Sequence, residues 1–332
     1  MIYTKTPFRM SFFGGGTDMK AYFEENGGAV LSTTFDKYCY VSVRHLPRFF
    51  DYRSQITYSK IEKVSHIDEI DHPMVRNAMK YLDMRDLCIS YDADLPARSG
   101  LGSSSSFAVG LLNAFHALKG HYASKEQLAK EAIYVERELC AESGGWQDQI
   151  AAAYGGMNRI TFSSDGFEVN PVIIQKERKE QLNQNLMMFF TGFSRFASEL
   201  EKEKARVLHE KKVELREMVQ LVDAGEAVLT DRHGDLDEFG RLLNHAWQLK
   251  RGIGKGVSTS ALDDIYQTAM KRGAIGGKLL GAGGGGFFIF YTPVEYQPAV
   301  KAALEGLTHV PFRFENSGAK ILYYVPEEYS EQ

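Results

Sequence analysis

The first thirteen residues alternate in character. Ile2, Thr4, Thr6, Phe8, Met10 and Phe12 point one way and Lys5, Arg9 and Ser11 the other, which predicts a half-buried strand. Gly14-Gly15-Gly16 breaks this pattern into a turn. Thr17 or Asp18 is then placed to cap a short helix running to Glu25, stopped by Gly27-Gly28. AVLSTTF and YCYVSVRHL read as strands, a helix is expected near 74–82, and LCISYDADL as a further strand. A serine-glycine stretch separates that strand from an apolar helix running from Phe107 to about Leu118. Another helix begins at Ser124, with Gln127 in the capping-box position, and extends to Cys140.

From about residue 170 the texture changes. QKERKEQLNQN is polar and reads as a crossing between domains, and NLMMFFTG after it as a buried strand. Charged helices are expected over roughly 198–230, 235–251 and 260–272, before GGKLLGAGGGGFFIFY and AKILYYV return to strand character. Strands and helices interleave without βαβ regularity, so the predicted class is α+β. A chain of this length accommodates two domains, placed at 1–180 and 181–332.

Composition narrows the function classes. The 332 residues are 44% hydrophobic, enough for a sizeable core, and a net charge of −4 offers no field for nucleic acid or anionic membranes. No apolar run reaches the length of about 18 residues that a membrane span needs. Cys39, Cys88 and Cys140 are scattered and odd in number, which argues for a reducing cytoplasm rather than a disulfide framework. No partner motif appears in the chain, and a homodimer is left open.

Many of the 31 glycines fall in three clusters: Gly14–Gly16, Gly100–Gly102 with four serines after it, and Gly281–Gly286. Glycine costs backbone entropy, so clustering it calls for a reason. Gly100-Leu101-Gly102-Ser103-Ser104-Ser105-Ser106, between a strand and an apolar helix, is a physical anion site, because helix-start N–H groups and the helix dipole both favour phosphate. A serine-rich helix cap is the plainer reading. A Walker loop is excluded, since GxxxxGK[ST] occurs nowhere. Gly281–Gly286 matches GxGxxG as a string but leads into a strand, which excludes a dinucleotide fold and leaves a hairpin loop, either close to phosphates or merely turning.

Two carboxylates stand out. On a helix from Ser124 to Cys140, Leu128, Ala132, Val135 and Leu139 share one side, and Glu136 projects into the middle of that apolar arc. A buried carboxylate is costly when unpaired, so Glu136 is expected to meet a cation, either Mg²⁺ or a buried Arg or Lys. Asp148, in Gly145-Trp146-Gln147-Asp148-Gln149, reads by itself as an Asp near a helix start.

Taken in order, Pro7-x-Arg9 with Gly14-Gly15-Gly16-Thr17-Asp18, then Leu95-Pro96-Ala97-Arg98-Ser99-Gly100-Leu101-Gly102-Ser103-Ser104-Ser105, Gly145-Trp146-Gln147-Asp148-Gln149 and Gly281-Ala282-Gly283-Gly284-Gly285 resemble the three motifs of the GHMP kinases. The FGGGTD turn, the GGWQDQIAAAYGG block and Thr191-Gly192-Phe193-Ser194-Arg195 resemble the branch of D-glycero-D-manno-heptose 7-phosphate kinases within that family. The resemblance implies a two-domain fold with the site in the cleft, and ATP phosphates on Gly100, Leu101, Gly102, Ser103, Ser104 and Ser105. It implies Mg²⁺ on Glu136 and Ser104, Asp148 and Arg9 as the catalytic pair, and a sugar phosphate acceptor phosphorylated at its anomeric hydroxyl for nucleotide-heptose synthesis. Asp18, Thr17, Gly16, Gly283 and Gly284 would line the acceptor site. Gly15 and Gly16 replace the acidic and histidine side chains of galactokinase, which leaves room for a longer sugar. Arg195 is the candidate for the acceptor's own phosphate, with Arg44, Arg48 and Arg98 as alternatives. A fucokinase-like enzyme, another small-molecule kinase of the fold and a non-catalytic ligand sensor are the competing readings.

Overall fold

The computed structural model describes residues 1–97, 99–192, 211–254 and 256–326. Strand β1 spans Ile2–Phe13 and pairs antiparallel with β2, Gly28–His45, across the turn and α1, Lys20–Asn26. The two segments expected as separate strands are thus one strand of 18 residues, with register shifts at Pro7/Phe8 and Ser11/Phe13. The alternation along β1 holds only to Thr6, beyond which every residue to Phe13 is buried. Its far half is covered on both sides, because helices from the second half of the chain reach it.

The first sheet runs in the order β13-β1-β2-β5-β3-β4, with β3 at Ser54–Thr57, β4 at Ile61–Val64, β5 at Leu87–Ala93 and β13 at Lys320–Tyr324. Helix α2, Pro73–Tyr81, precedes β5, and α3, Ser103–Leu118, follows it and lies on β1 and β2. A Cβ on Gly110 of α3 would stand 2.8 Å from Thr6 Oγ1, so the bare helix backbone packs directly on the threonine side chains of β1. Next come α4, Lys125–Tyr134, a π-helical turn at Val135–Leu139, α5, Gln147–Tyr154, and the hairpin β6, Asn158–Ser163, with β7, Gly166–Pro171. Ser124 caps α4, its hydroxyl accepting from Gln127 N at 3.1 Å. The polar run expected as a crossing is a helix, α6, Lys176–Asn185, anchored where Arg178 donates to Val228 O.

The second sheet has the order β11-β8-β10-β9, with β8 at Leu186–Phe190, β9 at Gly276–Leu279, β10 at Phe287–Tyr291 and β11 at Thr308–His309. Helices α7, Lys212–Thr230, α8, Asp237–Ile253, α9, Ser260–Lys271, and α10, Gln297–Ala303, complete this half. Trp247, Tyr266, Phe288 and Phe290 form an aromatic core between α8, α9 and the sheet. Phe239 of α8 meets Phe12 and Phe13 edge-on, joining the halves. The chain then re-enters the first sheet: β12, Phe314–Glu315, pairs with β2 and β13, Lys320–Tyr324, with β1. A single cut at residue 180 therefore does not separate the sheets. No helix among the described residues is long and apolar enough to cross a membrane.

The halves also touch through glycine backbone. A Cβ on Gly281 would sit 2.3 Å from Gly100 Cα, and one on Gly286 2.2 Å from Ser99 O. The buried ammonium of Lys250 donates to Leu279 O at 2.7 Å and Gly281 O at 2.6 Å, holding the loop in place. Gly281 also has φ +72°, as Gly120 has φ +70° with nothing within 4 Å of its Cβ position. Backbone strain alone costs about 1 kcal/mol in such a position. Gly120→Ala is expected to lose that much in urea unfolding and Gly281→Ala about 2 kcal/mol more, the surplus being the broken backbone contact.

Candidate active site

Strand β1 carries Arg9 into the seam between the sheets, where the side chain is buried. Its Nε donates to Asp148 Oδ1 at 2.8 Å and its Nη2 to Oδ2 at 2.9 Å, a bidentate fork that fixes the plane of the carboxylate. Nη1 donates to Gly100 O at 2.6 Å, and the Arg9 backbone N to Leu101 O at 3.1 Å. Asp148 lies in the first turn of α5 and caps nothing. A Cβ on Gly102 would lie 3.3 Å from both Arg9 Cγ and Asp148 Oδ2, so the loop rests directly on the pair.

Helix α3 starts at Ser103, earlier than the apolar pattern indicates, because the serines themselves form its first turn. Gly100 and Gly102 adopt φ +81° and +74°, which turns the chain tightly into the helix. No side chain caps this 16-residue helix, and its first internal bond runs from Ser106 N to Gly102 O. An uncapped helix start of this kind attracts anions.

Glu136 is 1% exposed, as its place in the apolar arc predicts. Its position comes from the π turn, in which Cys140 N bonds Val135 O at 2.8 Å. The expected buried Arg or Lys is replaced by neutral donors: Ser104 Oγ and Ser105 Oγ each donate at 2.8 Å, and Gln149 Nε2 donates to the same oxygen as Ser105. Both serines belong to the first turn of α3, so the positive end of that helix dipole supplies the missing charge. Gln149 was not legible beforehand as a partner; only its place one residue after Asp148 marks it. Among the described residues no group of three or more His, Cys, Asp or Glu is arranged to hold a metal.

The turn after β1 departs from expectation. Thr17 and Asp18 do not cap α1, whose N-cap is Met19. Thr17 is fully buried and its hydroxyl donates to Gly14 O and Ala29 O, so it holds the turn together rather than facing an acceptor. Asp18 accepts from Gly16 N at 2.9 Å and Gln147 N at 3.2 Å, and a Cβ on Gly145 would collide with its carboxylate. The turn, Asp18 and the start of α5 thus form one polar knot. Arg137 closes its far side by donating to Ser143 O and Gly145 O.

Gly281–Gly286 joins antiparallel β9 and β10, as the hairpin reading requires. Gly284 N donates to Val257 O at 3.0 Å, and Gly283 packs on the Val257 backbone. Arg195 and Arg98 lie outside the described residues. Arg44 sits near the end of β2 opposite Cys88, and Arg48 follows that strand.

Comparison with known proteins shows the family. Residues 72–156 match the GHMP kinases N terminal domain and residues 214–309 the GHMP kinases C terminal domain. The D-glycero-alpha-D-manno-heptose 7-phosphate kinase of Campylobacter jejuni is 30% identical, spanning 96% of this chain and 98% of its own. A bifunctional fucokinase/GDP-fucose pyrophosphorylase of Arabidopsis thaliana is 26% identical over 85% of this chain and 29% of its own. Among solved structures, a D-glycero-D-manno-heptose 1-phosphate kinase from Bacteroides thetaiotaomicron superposes with a TM-score of 0.73 at 26% identity, covering 97% of this chain and 99% of that one. With a glycine-serine loop pressed on an Arg–Asp pair, and with likeness that runs the length of the chain, the protein belongs to the GHMP kinase family and is a phosphotransferase with an alcohol group as acceptor.

Proposed function

We propose that the protein transfers the γ-phosphoryl group of ATP to the anomeric hydroxyl of D-glycero-α-D-manno-heptose 7-phosphate, forming the 1,7-bisphosphate. The observation that carries the kinase chemistry is the Arg9–Asp148 pair bonded to the loop at Gly100 and Leu101. The choice of acceptor is supported by the Campylobacter jejuni relative and by the half-exposed, side-chain-free Gly15 and Gly16.

In this reading the amides at the start of α3 receive the phosphates of ATP, and the acceptor hydroxyl lies against Asp148. The hydroxyl oxygen bonds to the γ-phosphorus while the bond to the β–γ bridging oxygen breaks and ADP leaves. The proton passes to Asp148, or Asp148 orients the hydroxyl until the proton is lost. Arg9 offsets charge on the phosphoryl oxygens and keeps the carboxylate in place.

The donor set around Glu136 suits magnesium: a carboxylate, two hydroxyls and the partnerless buried Oε1 of Gln149 are all hard oxygens. Mg²⁺ would be held by Glu136 and Ser104, the exposed serine of the helix start. When bound it neutralises charge between the β- and γ-phosphates. Because it is bound through few protein groups, its affinity depends strongly on the single carboxylate.

ADP release with Mg-ATP and heptose 7-phosphate, fucose, galactose or mevalonate is expected to be fastest with the heptose; faster turnover of fucose would overturn the acceptor assignment and leave the kinase chemistry standing. Asp148→Asn preserves shape and is expected to lower kcat by about 10²–10⁴-fold with ATP affinity nearly unchanged. An unaltered kcat would remove Asp148 from the proton step. Glu136→Gln is expected to raise the Mg²⁺ concentration for half-maximal rate at least about tenfold, read from magnesium titrations of the initial rate.

A further inference from the structure

Beside the catalytic pair two polar atoms are buried without any partner. Ser11 is 5% exposed and Gln147 9%, and neither Ser11 Oγ nor Gln147 Oε1 finds a hydrogen bond among the described residues. An unmet buried polar atom costs stability that an apolar side chain would not. Such atoms are tolerated where something outside the fold completes them.

The two atoms belong to one place. Ser11 follows Arg9 by two residues in unbroken register on β1, so both side chains leave the same face of the strand, about 7 Å apart along it. Gln147 immediately precedes Asp148, and its backbone N is held by Asp18 at 3.2 Å. A Cβ on Gly15 would lie 3.9 Å from Ser11 Oγ and 3.9 Å from Gln147 Nε2, with nothing closer. Gly15 does not have the positive φ that demands glycine, and it is half-exposed. Its missing side chain therefore leaves a position, flanked by Ser11 and Gln147, that a methyl group would fill with ordinary contacts.

We propose that Ser11 and Gln147 form a neutral subsite that reads one ring hydroxyl of the acceptor across the bare backbone of Gly15. This rests on the acceptor being a sugar, as in the preceding subsection, and adds which group of it is recognised. The chemistry selects a hydroxyl. Gln147 Oε1 only accepts, while Ser11 can give or take a proton, so the ligand atom must be able to donate. Phosphate and carboxylate oxygens could accept from Gln147 Nε2 but would leave Gln147 Oε1 unmet, and they would face the neighbouring carboxylate of Asp18. The phosphate of the acceptor is consequently bound elsewhere, and this position reads the ring.

The test uses Ser11→Ala, Gln147→Leu and Gly15→Ala in the full-length protein, with the acceptor that the wild type turns over fastest and its singly deoxygenated ring analogues. Each variant is expected to lose about tenfold to a hundredfold in kcat/KM on the intact sugar. For Ser11→Ala and Gln147→Leu that loss is expected to vanish on one deoxy analogue, and the KM for ATP should stay within about twofold for all three. Without ligand, Ser11→Ala and Gln147→Leu are expected to melt at or above the wild-type temperature, since neither removes a bond the protein makes to itself. Equal losses on every analogue, or a clear fall in the ligand-free melting temperature of Ser11→Ala, would overturn the subsite. A best acceptor without ring hydroxyls, such as mevalonate, would overturn both the subsite and the sugar reading. If another sugar proves the best acceptor, only the heptose assignment falls and that sugar's own deoxy series decides the subsite.

Discussion

Arg9 is the constraint on which the cleft depends. A guanidinium offers five N–H groups in a rigid plane, and here three are spent: two on Asp148 and one on the carbonyl of Gly100. Those partners lie 139 and 91 residues away in sequence. The side chain therefore joins the first strand, the Gly100–Gly102 loop and the start of α5 in one rigid unit. Two N–H groups remain, in keeping with a role toward phosphoryl oxygens. Burial of a charge this deep is tolerable because the carboxylate partner meets it in bidentate geometry. The same pairing fixes the orientation of Asp148, so for the catalytic role proposed for it the cost of positioning is met in folding rather than in the reaction.

Glu136 solves a different electrostatic problem in the same few ångströms. No carboxylate of this depth is stable on hydrogen bonds from solvent, and the fold provides two hydroxyls, an amide and a helix start in their place. The arrangement has a consequence for the loop. Ser104 and Ser105 are bound to a group on the π turn, so the first turn of α3 keeps its direction whether or not phosphate lies on it. The proposed anion site would thus be preorganised by the residue proposed to share in holding the cation.

What the sequence made legible was whatever chemistry is local. The Ser124–Gln127 cap, the hairpin around Gly281–Gly286, the helix near 74–82 and the inward direction of Glu136 each follow from spacings of a few residues. What stayed hidden depends on distant partners. The return of Phe314–Tyr324 to β1 and β2 leaves no trace in its own residues, nor does the burial of β1 on both faces, which needs Phe239 to arrive from α8. That Glu136 meets the hydroxyls of Ser104 and Ser105 stayed hidden for the same reason, since both stand more than thirty residues from it. Thr17 shows the limit of motif matching. A residue carried in a binding motif can serve by holding the turn, and only the direction of its hydroxyl tells the two apart.

The glycines make the same point from the other side. Gly14, Gly100, Gly281 and Gly120 share a positive φ, yet a Cβ would meet the carbonyl of Ala29 at 1.9 Å at the first, opposing backbone at the next two and open space at the last. Gly15 has ordinary backbone, and a Cβ there would meet only ordinary contacts, at 3.9 Å, with Ser11 and Gln147. Clustering alone therefore cannot say why glycine is present; conformation, close approach and empty room are separate reasons. Here the first two explain how the Gly100–Gly102 loop and the Gly281–Gly286 hairpin lie backbone against backbone beside a charged pair. The third marks where the protein stops filling space. A packed interior leaves few voids, so an unfilled position lined by unmet polar atoms, beside groups already fixed in place, carries information about the ligand that the packed positions do not.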